Sequence, residues 1–305
     1  MNHELIDRPP HRIKLIQVLR AVRRGARKQT GSKLSALAAC LLLLVLAIGS
    51  SPTACARGKD WKTLNKEVQS LYSQGQFARA VEVAKKALAV AERSFGPNDT
   101  LVAASLNNLA ELYRMTGQYA QAEPLFTRSL AMIEKALGPD HPSAATGLSN
   151  LAELYRMQGH FAQAESLYRR SLAITENALG PDNLGVAASL NNLGAMYQDQ
   201  HQFAQAEPLY QQSLAITEKA LGSDNPDVAT CLNNLATLYQ DEGKYAQAEP
   251  LYQRSLTIKE KALGPNHPDV ATSLENLAAL YRASGRLDEA KQMKERAVRI
   301  RALKR

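Results

Sequence analysis

"ALGPDHP", residues 136–142, sets two helix breakers beside two residues that can do chemistry. Whether Gly138-Pro139-Asp140-His141 is an active-site loop or a spacer decides the fold. The stretch is not alone. Phe95-Gly96-Pro97-Asn98, Leu137-Gly138-Pro139-Asp140, Leu179-Gly180-Pro181-Asp182, Leu221-Gly222-Ser223-Asp224 and Leu263-Gly264-Pro265-Asn266 follow one another at a 42-residue step. Asn108, Asn150, Asn192, Asn234 and Asn276 keep the same step, as do Tyr113, Tyr155, Tyr197, Tyr239 and Tyr281, and Ala122, Ala164, Ala206, Ala248 and Ala290. Self-similarity at a period of about 20–50 residues is the mark of a stacked-repeat architecture.

One unit, residues 102–143, shows what is being repeated. Val102, Leu106, Leu109, Ala110 and Tyr113 recur at helical spacing, with Asn107, Asn108, Glu111 and Arg114 on the opposite, polar stripe. The pattern stops near Thr116-Gly117. A second one runs through Tyr119, Ala122, Phe126, Leu130, Ile133 and Leu137 and ends at Gly138-Pro139. Each unit is therefore two antiparallel amphipathic helices joined by a tight turn. In that frame every residue of the opening stretch has a structural task. Gly138 suits a left-handed position after the helix. Pro139 cannot continue the helix. Asp140 or His141 can cap the next one, and Pro142 suits its first position, where a missing N–H costs nothing. The stretch reads as punctuation.

The spacing of Asn108-Leu109-Ala110, Tyr113, Gly117, Tyr119, Ala122 and Phe126 resembles the tetratricopeptide repeat. The 42-residue form, with "AEPLY" at 206–210 and 248–252, is similar to the repeats of kinesin light chains. The resemblance covers about residues 60–300 and implies an all-α, right-handed superhelical solenoid. Residues 60–93, with Gly75, Phe77 and Ala80 in phase, read as a divergent first pair. The solenoid then spans residues 59–305 as six helix pairs, at about 60–93, 102–137, 144–179, 186–221, 228–263 and 270–300. Three departures stand out. His201 replaces the turn glycine found at positions 117, 159, 243 and 285. Pro124, Pro208 and Pro250 fall inside second helices and are expected to bend them. Lys294 stands where Phe126, Tyr168, Tyr210 and Tyr252 stand, and the segment Lys291–Arg305 carries seven Lys/Arg against one Glu, as expected of a solvated terminal cap.

The net charge of +8 belongs to the ends of the chain. Residues 1–56 hold nine Lys/Arg and two Asp/Glu, whereas residues 57–290 hold 21 and 26. A mildly acidic body lacks the basic stripe that phosphate neutralisation needs, so nucleic acid is not the expected partner. None of the six His has a ligand-spaced neighbour, no glycine-rich phosphate loop or nucleophile elbow occurs, and no metal or cofactor is expected. Glu123, Glu165, Glu207 and Glu249 recur once per repeat and read as a solvated helix face. Catalysis needs one asymmetric constellation, and this chain offers near-copies of one surface. Cys231, the sole Cys of the repeat region, replaces Ser105, Gly147, Ser189 and Ser273, and is expected to be a buried, inert contact.

The N-terminus has a different organisation. Residues 1–33 form a basic arm, whose stretch 8–33 holds nine Lys/Arg and no acid, and Leu34–Ile48 is uncharged. Gly49-Ser50-Ser51-Pro52 follows, then Ala54-Cys55-Ala56. Basic, apolar and then small-x-small is the layout of a bacterial secretory signal, so residues 34–56 read as its later part, with cleavage after Ala56. Extended to Ser51, the apolar run has 18 residues, enough to serve instead as an uncleaved anchor. Export to the periplasm, or attachment to the membrane through residues 34–51, is the expectation, with the arm charged for contact with anionic lipid. Pro52 fits a lipoprotein box poorly, and Arg23-Arg24 lacks the apolar residues of a twin-arginine signal.

The functional expectation is a non-catalytic scaffold that holds a protein or peptide in its concave groove. A structural, self-associating component of an envelope complex is the alternative, and an accessory subunit of an enzyme a third. The resemblance places the polar stripe of each first helix in the groove. Its candidate contacts are Asn107, Asn108, Arg114, Asn150, Arg156, Asn191, Asn192, Asn233, Asn234, Asn276 and Arg282. The repeated Asn can pair with a peptide backbone or bond between neighbouring helices, and both readings stay open. Arg114 and Arg156 together suggest an acidic group on the ligand. Similarity to kinesin light chains does not imply a motor.

Overall fold

The computed structural model describes residues 52–303, and within them twelve helices pack as six consecutive antiparallel pairs. They are α1 (Pro52–Ser73), α2 (Phe77–Phe95), α3 (Thr100–Met115), α4 (Tyr119–Leu137), α5 (Pro142–Met157), α6 (Phe161–Leu179), α7 (Leu184–Asp199), α8 (Phe203–Leu221), α9 (Pro226–Asp241), α10 (Tyr245–Leu263), α11 (Pro268–Ala283) and α12 (Leu287–Ala302). No strand occurs among the described residues. The expected all-α solenoid of six pairs is what forms. The basic arm and the apolar run up to Ser51 lie outside the described residues. α1 starts at Pro52, earlier than the Asp60 boundary that the sequence pattern suggests. No described helix is long and apolar enough to cross a membrane.

The inter-repeat loop behaves as punctuation. Gly138 sits at φ 98° after α4. His141 caps α5, its Nδ1 accepting from the Ser143 N–H at 3.1 Å, and Pro142 follows as the first helical residue. Asp99, Asn183, Asn225 and His267 accept in the same way at the starts of α3, α7, α9 and α11. The turn inside each pair needs a left-handed residue. Glycine supplies it everywhere except before α8, where His201 is held at φ 56°. α4, α8 and α10 each run on through their proline.

Packing within a pair uses small residues at the helix contact. Ala110, Ala122, Ala152, Ala164, Ala206, Ala236 and Ala248 are fully buried, which lets the helices come close, and Phe126, Tyr168, Tyr210 and Tyr252 fill the space beside them. Serine hydroxyls fasten the pairs. Ser129, Ser171, Ser213 and Ser255 donate to the carbonyls of Ala103, Ala145, Ala187 and Ala229 at 2.7–2.8 Å. The two largest buried clusters each draw residues from several repeats, so these units depend on their neighbours for burial.

Between repeats, the two layers are joined by side chains of different reach. The first helices α3 and α5, and α5 and α7, come close to each other directly, and short Asn amides bond α3 to α5, α7 to α9 and α9 to α11. The second helices are joined by long Arg–Glu pairs: Arg128 with Glu92, Arg170 with Glu134, Arg254 with Glu218 and Arg296 with Glu260. The first helices thus form one layer of the stack and the second helices the other.

A second interlock corrects a sequence expectation. The repeated Glu is not merely a solvated face. Tyr155, Tyr197, Tyr239 and Tyr281 donate their hydroxyls to Glu123, Glu165, Glu207 and Glu249 of the preceding repeat at 2.7–2.9 Å. The signal was present in the sequence, because both series share the 42-residue step, but spacing alone does not say that they meet. Cys231 also differs from expectation. It is half-buried, with its Sγ 3.5 Å from Thr217 Oγ1 and 3.9 Å from Ser213 Oγ.

Candidate functional site

The polar stripe of the first helices carries the eleven candidate residues, and most of them are engaged within the protein. Asn150 donates to Asn107 Oδ1 at 2.9 Å, Asn234 to Asn191 at 2.6 Å, and Asn276 to Asn233 at 2.7 Å. Asn108 is buried and donates to Asn65 of α1 at 3.2 Å. The repeated Asn is thus the rung of an inter-helix ladder: its amide N–H reaches the amide oxygen of the residue before the rung in the preceding repeat. The ladder breaks once. At the α5–α7 junction the acceptor position is Ser149, whose hydroxyl is bonded to Ser171 at 2.7 Å. Asn192, half-buried on α7, has no side-chain partner among the described residues.

Beside the ladder runs a chain of charges. Arg114 grips Glu111 with two hydrogen bonds, at 2.8 and 2.6 Å, and lies 3.6 Å from Glu153. Arg156 grips Glu153 with two more, both at 2.8 Å, and reaches Asp199 on α7. Tyr168 adds its hydroxyl to Glu153 at 2.7 Å. Burial opposes charge on Glu153, yet the Arg156 contact, the Tyr168 hydroxyl and Arg114 together hold its carboxyl below the usual range. Glu153 hydrogen-bonding outweighs burial to raise Arg156 further, and burial beside Glu153 raises the Tyr168 phenol. Arg114 and Arg156 are therefore not free cations awaiting an acidic ligand. Three carboxylates, Glu111, Glu153 and Asp199, already surround them. The Glu111–Arg114 and Glu153–Arg156 pairs were legible as i,i+3 spacings, whereas the links from Arg114 to Glu153 and from Arg156 to Asp199 cross from helix to helix and were not.

Further along, the chemistry turns neutral. Gln198 donates to Asp241 at 2.6 Å and accepts from Tyr210 at 2.8 Å. Gln240 has a buried Oε1 with no donor. Its next neighbour in the series is Ala283, which has no polar group to offer. Arg282, at the open end on α11, is exposed and has no carboxylate partner among the described residues. The groove thus offers neutralised charges at the α3–α5 end, unpaired amide groups in the middle and one unpaired guanidinium at the far end. No group of three or more His, Cys, Asp or Glu among the described residues is placed to hold a metal ion.

Comparison with known proteins agrees with the repeat fold. The tetratricopeptide-repeat family model matches five overlapping segments, 62–135, 116–177, 161–219, 185–261 and 227–302. Among solved structures, BtubC (BKLC) from P. vanneervenii is 26% identical with a TM-score of 0.59, over 79% of this chain and 91% of that one. The nearly identical TPR-like repeats of a Podosopora anserina kinesin light chain are 30% identical with a TM-score of 0.57, over 66% of this chain and 95% of that one. A Rap protein complexed with Competence and Sporulation Factor shares the fold at 16% identity, with a TM-score of 0.56 over 80% of this chain and 75% of that one. No curated protein matches the chain.

Proposed function

Because the chain belongs to the tetratricopeptide-repeat family, we propose that it is a non-catalytic scaffold whose concave face holds an extended segment of a partner protein. The observation that carries this reading is the break in the asparagine ladder. Four of the five rungs are closed by an amide from the preceding repeat, and Asn192 alone is left with both a donor and an acceptor to offer. A peptide backbone has the matching acceptor and donor and asks for no side-chain identity. A fold-level parallel exists in the Rap protein solved with a bound factor. In this reading the acidic end of the ligand lies near Arg282, which has no carboxylate partner among the described residues, rather than near Arg114 and Arg156, whose carboxylate contacts would have to be undone first.

The same reading puts the solenoid outside the cytoplasm, exported or held at the membrane by residues 34–51, as the basic and apolar N-terminal layout suggests. Capture of partners from an envelope fraction, followed by titration of the captured partner against variants, tests the groove. Asn192→Ala and Arg282→Ala are expected to weaken binding at unchanged helix content. Asn150→Ala is expected to weaken folding rather than recognition. Retained affinity in the Asn192→Ala, Arg282→Ala double variant overturns the groove assignment. Intact-mass analysis of the native protein tests export separately: a mature N-terminus at Met1 in a cytosolic fraction overturns it.

A further inference from the structure

Among the second helices, one junction lacks a part that the other described junctions have. Arg128, Arg170, Arg254 and Arg296 each reach back to a Glu on the preceding second helix. Arg170 and Arg254 also donate to loop carbonyls, those of Pro139 and Ser223. Between α6 and α8 the Arg position is Gln212, and the facing carboxylate, Glu176, is exposed with no side-chain partner among the described residues. A cleft of about 580 Å³ opens at this junction. Leu172 and Glu176 of α6 form one wall, Pro208 and Leu209 of α8 the other, and Leu193 and Tyr197 of α7 the floor.

A second acceptor belongs to a residue that lines the same cleft. Pro208 has no N–H, so the carbonyl of Ala204, one turn earlier on α8, loses its helical donor. Ala204 lines the cleft with Pro208. The cation at its edge, Arg169, is already engaged, pairing with Glu165 at 2.9 Å and donating to Tyr197 at 2.8 Å. An exposed carboxylate and a freed carbonyl thus border an apolar cleft at the position where the other junctions hold a guanidinium.

The geometry points to this cleft as a second binding site, which takes an arginine side chain flanked by an aliphatic residue from a partner protein. The guanidinium replaces the missing clamp by bonding to Glu176 and the Ala204 carbonyl, and the aliphatic neighbour rests on Leu172, Pro208 and Leu209. Planar, many-donor recognition favours Arg over Lys. None of the candidate groove residues lines the cleft, so the site does not depend on the groove.

The probe is N-acetyl-Leu-Arg-amide, titrated into the full chain with methyl-labelled leucine and followed by NMR, beside its neutral citrulline isostere. Saturable shifts are expected at Leu172 and Leu209, and the isostere should bind about two- to five-fold more weakly, as for an exposed ion pair. Glu176→Gln should remove that difference. Gln212→Arg rebuilds the clamp seen at four other junctions, so it should fold as the parent does and abolish the shifts. Equal binding of the two peptides to the unaltered protein overturns the site, as does unchanged binding to the Gln212→Arg variant.

Discussion

The Asn150 amide donates to Asn107 Oδ1 at 2.9 Å, tying α5 to α3 across 43 residues of sequence. The same bond ties α9 to α7 and α11 to α9. It is missing only where Ser149 stands in place of the acceptor. Ser149→Asn should close the ladder, adding about 0.5–1.5 kcal/mol for the new hydrogen bond, less what the lost Ser171 contact contributed. Urea unfolding should show a raised midpoint. Partner binding should fall, because Asn192 is then occupied from within. A variant that is both more stable and fully able to bind would show that Asn192 is not a ligand contact.

Glu153 is the hub of the charge chain, so Glu153→Gln should cost about 1.5–3 kcal/mol, the scale of hydrogen bonds to charged groups. The cost should depend on pH. The carboxyl is held below its ordinary value in the folded state, so its contribution is fully present above about pH 4.5 and fades as pH falls through the depressed folded value. Denaturation of both proteins from pH 7 to pH 3 should show the two stabilities converging at the acid end. A gap that stays constant with pH would mean that packing, not charge, makes Glu153 important.

His201 occupies a left-handed turn position that glycine fills in every other described pair. A side chain there costs about 1–2 kcal/mol, while glycine adds some entropy to the unfolded chain. His201→Gly is therefore expected to stabilise the protein by about 0.5–1 kcal/mol. A thermal melt that moves down would mean that the imidazole contributes more, through its edge contact with Phe203 at 5.7 Å between ring centroids, than the backbone strain costs.

His141 caps α5 through Nδ1, as His267 caps α11. His141→Ala should cost about 1 kcal/mol, and His141→Asn, which copies Asn183 and Asn225 at equivalent positions, should cost little. If both substitutions cost the same in denaturant unfolding, the cap bond does not stabilise the helix.

The sequence by itself determined the architecture. A 42-residue period, two helical patterns per period and a breaker between them leave a stack of antiparallel helix pairs as the arrangement that buries every apolar stripe. It also determined the role of "ALGPDHP", because Gly138, His141 and Pro142 act locally, through their own backbone angles and the next helix's free N–H groups. The groove was legible as a list of residues but not as chemistry. Arg114 and Arg156 each have a carboxylate three residues earlier, which the sequence shows, but their second partners Glu153 and Asp199 lie on the next first helix. Only the tertiary structure decided that these pairs join into one chain of charges, that the Asn series forms rungs, and that Ser149 leaves Asn192 open. The physical reason is distance along the chain. A cap or a turn is settled within a few residues, whereas a side chain bonded 43 residues away has its partner chosen by the pitch of the stack. That pitch follows from how the Ala, Tyr and Ser contacts of every repeat pack together.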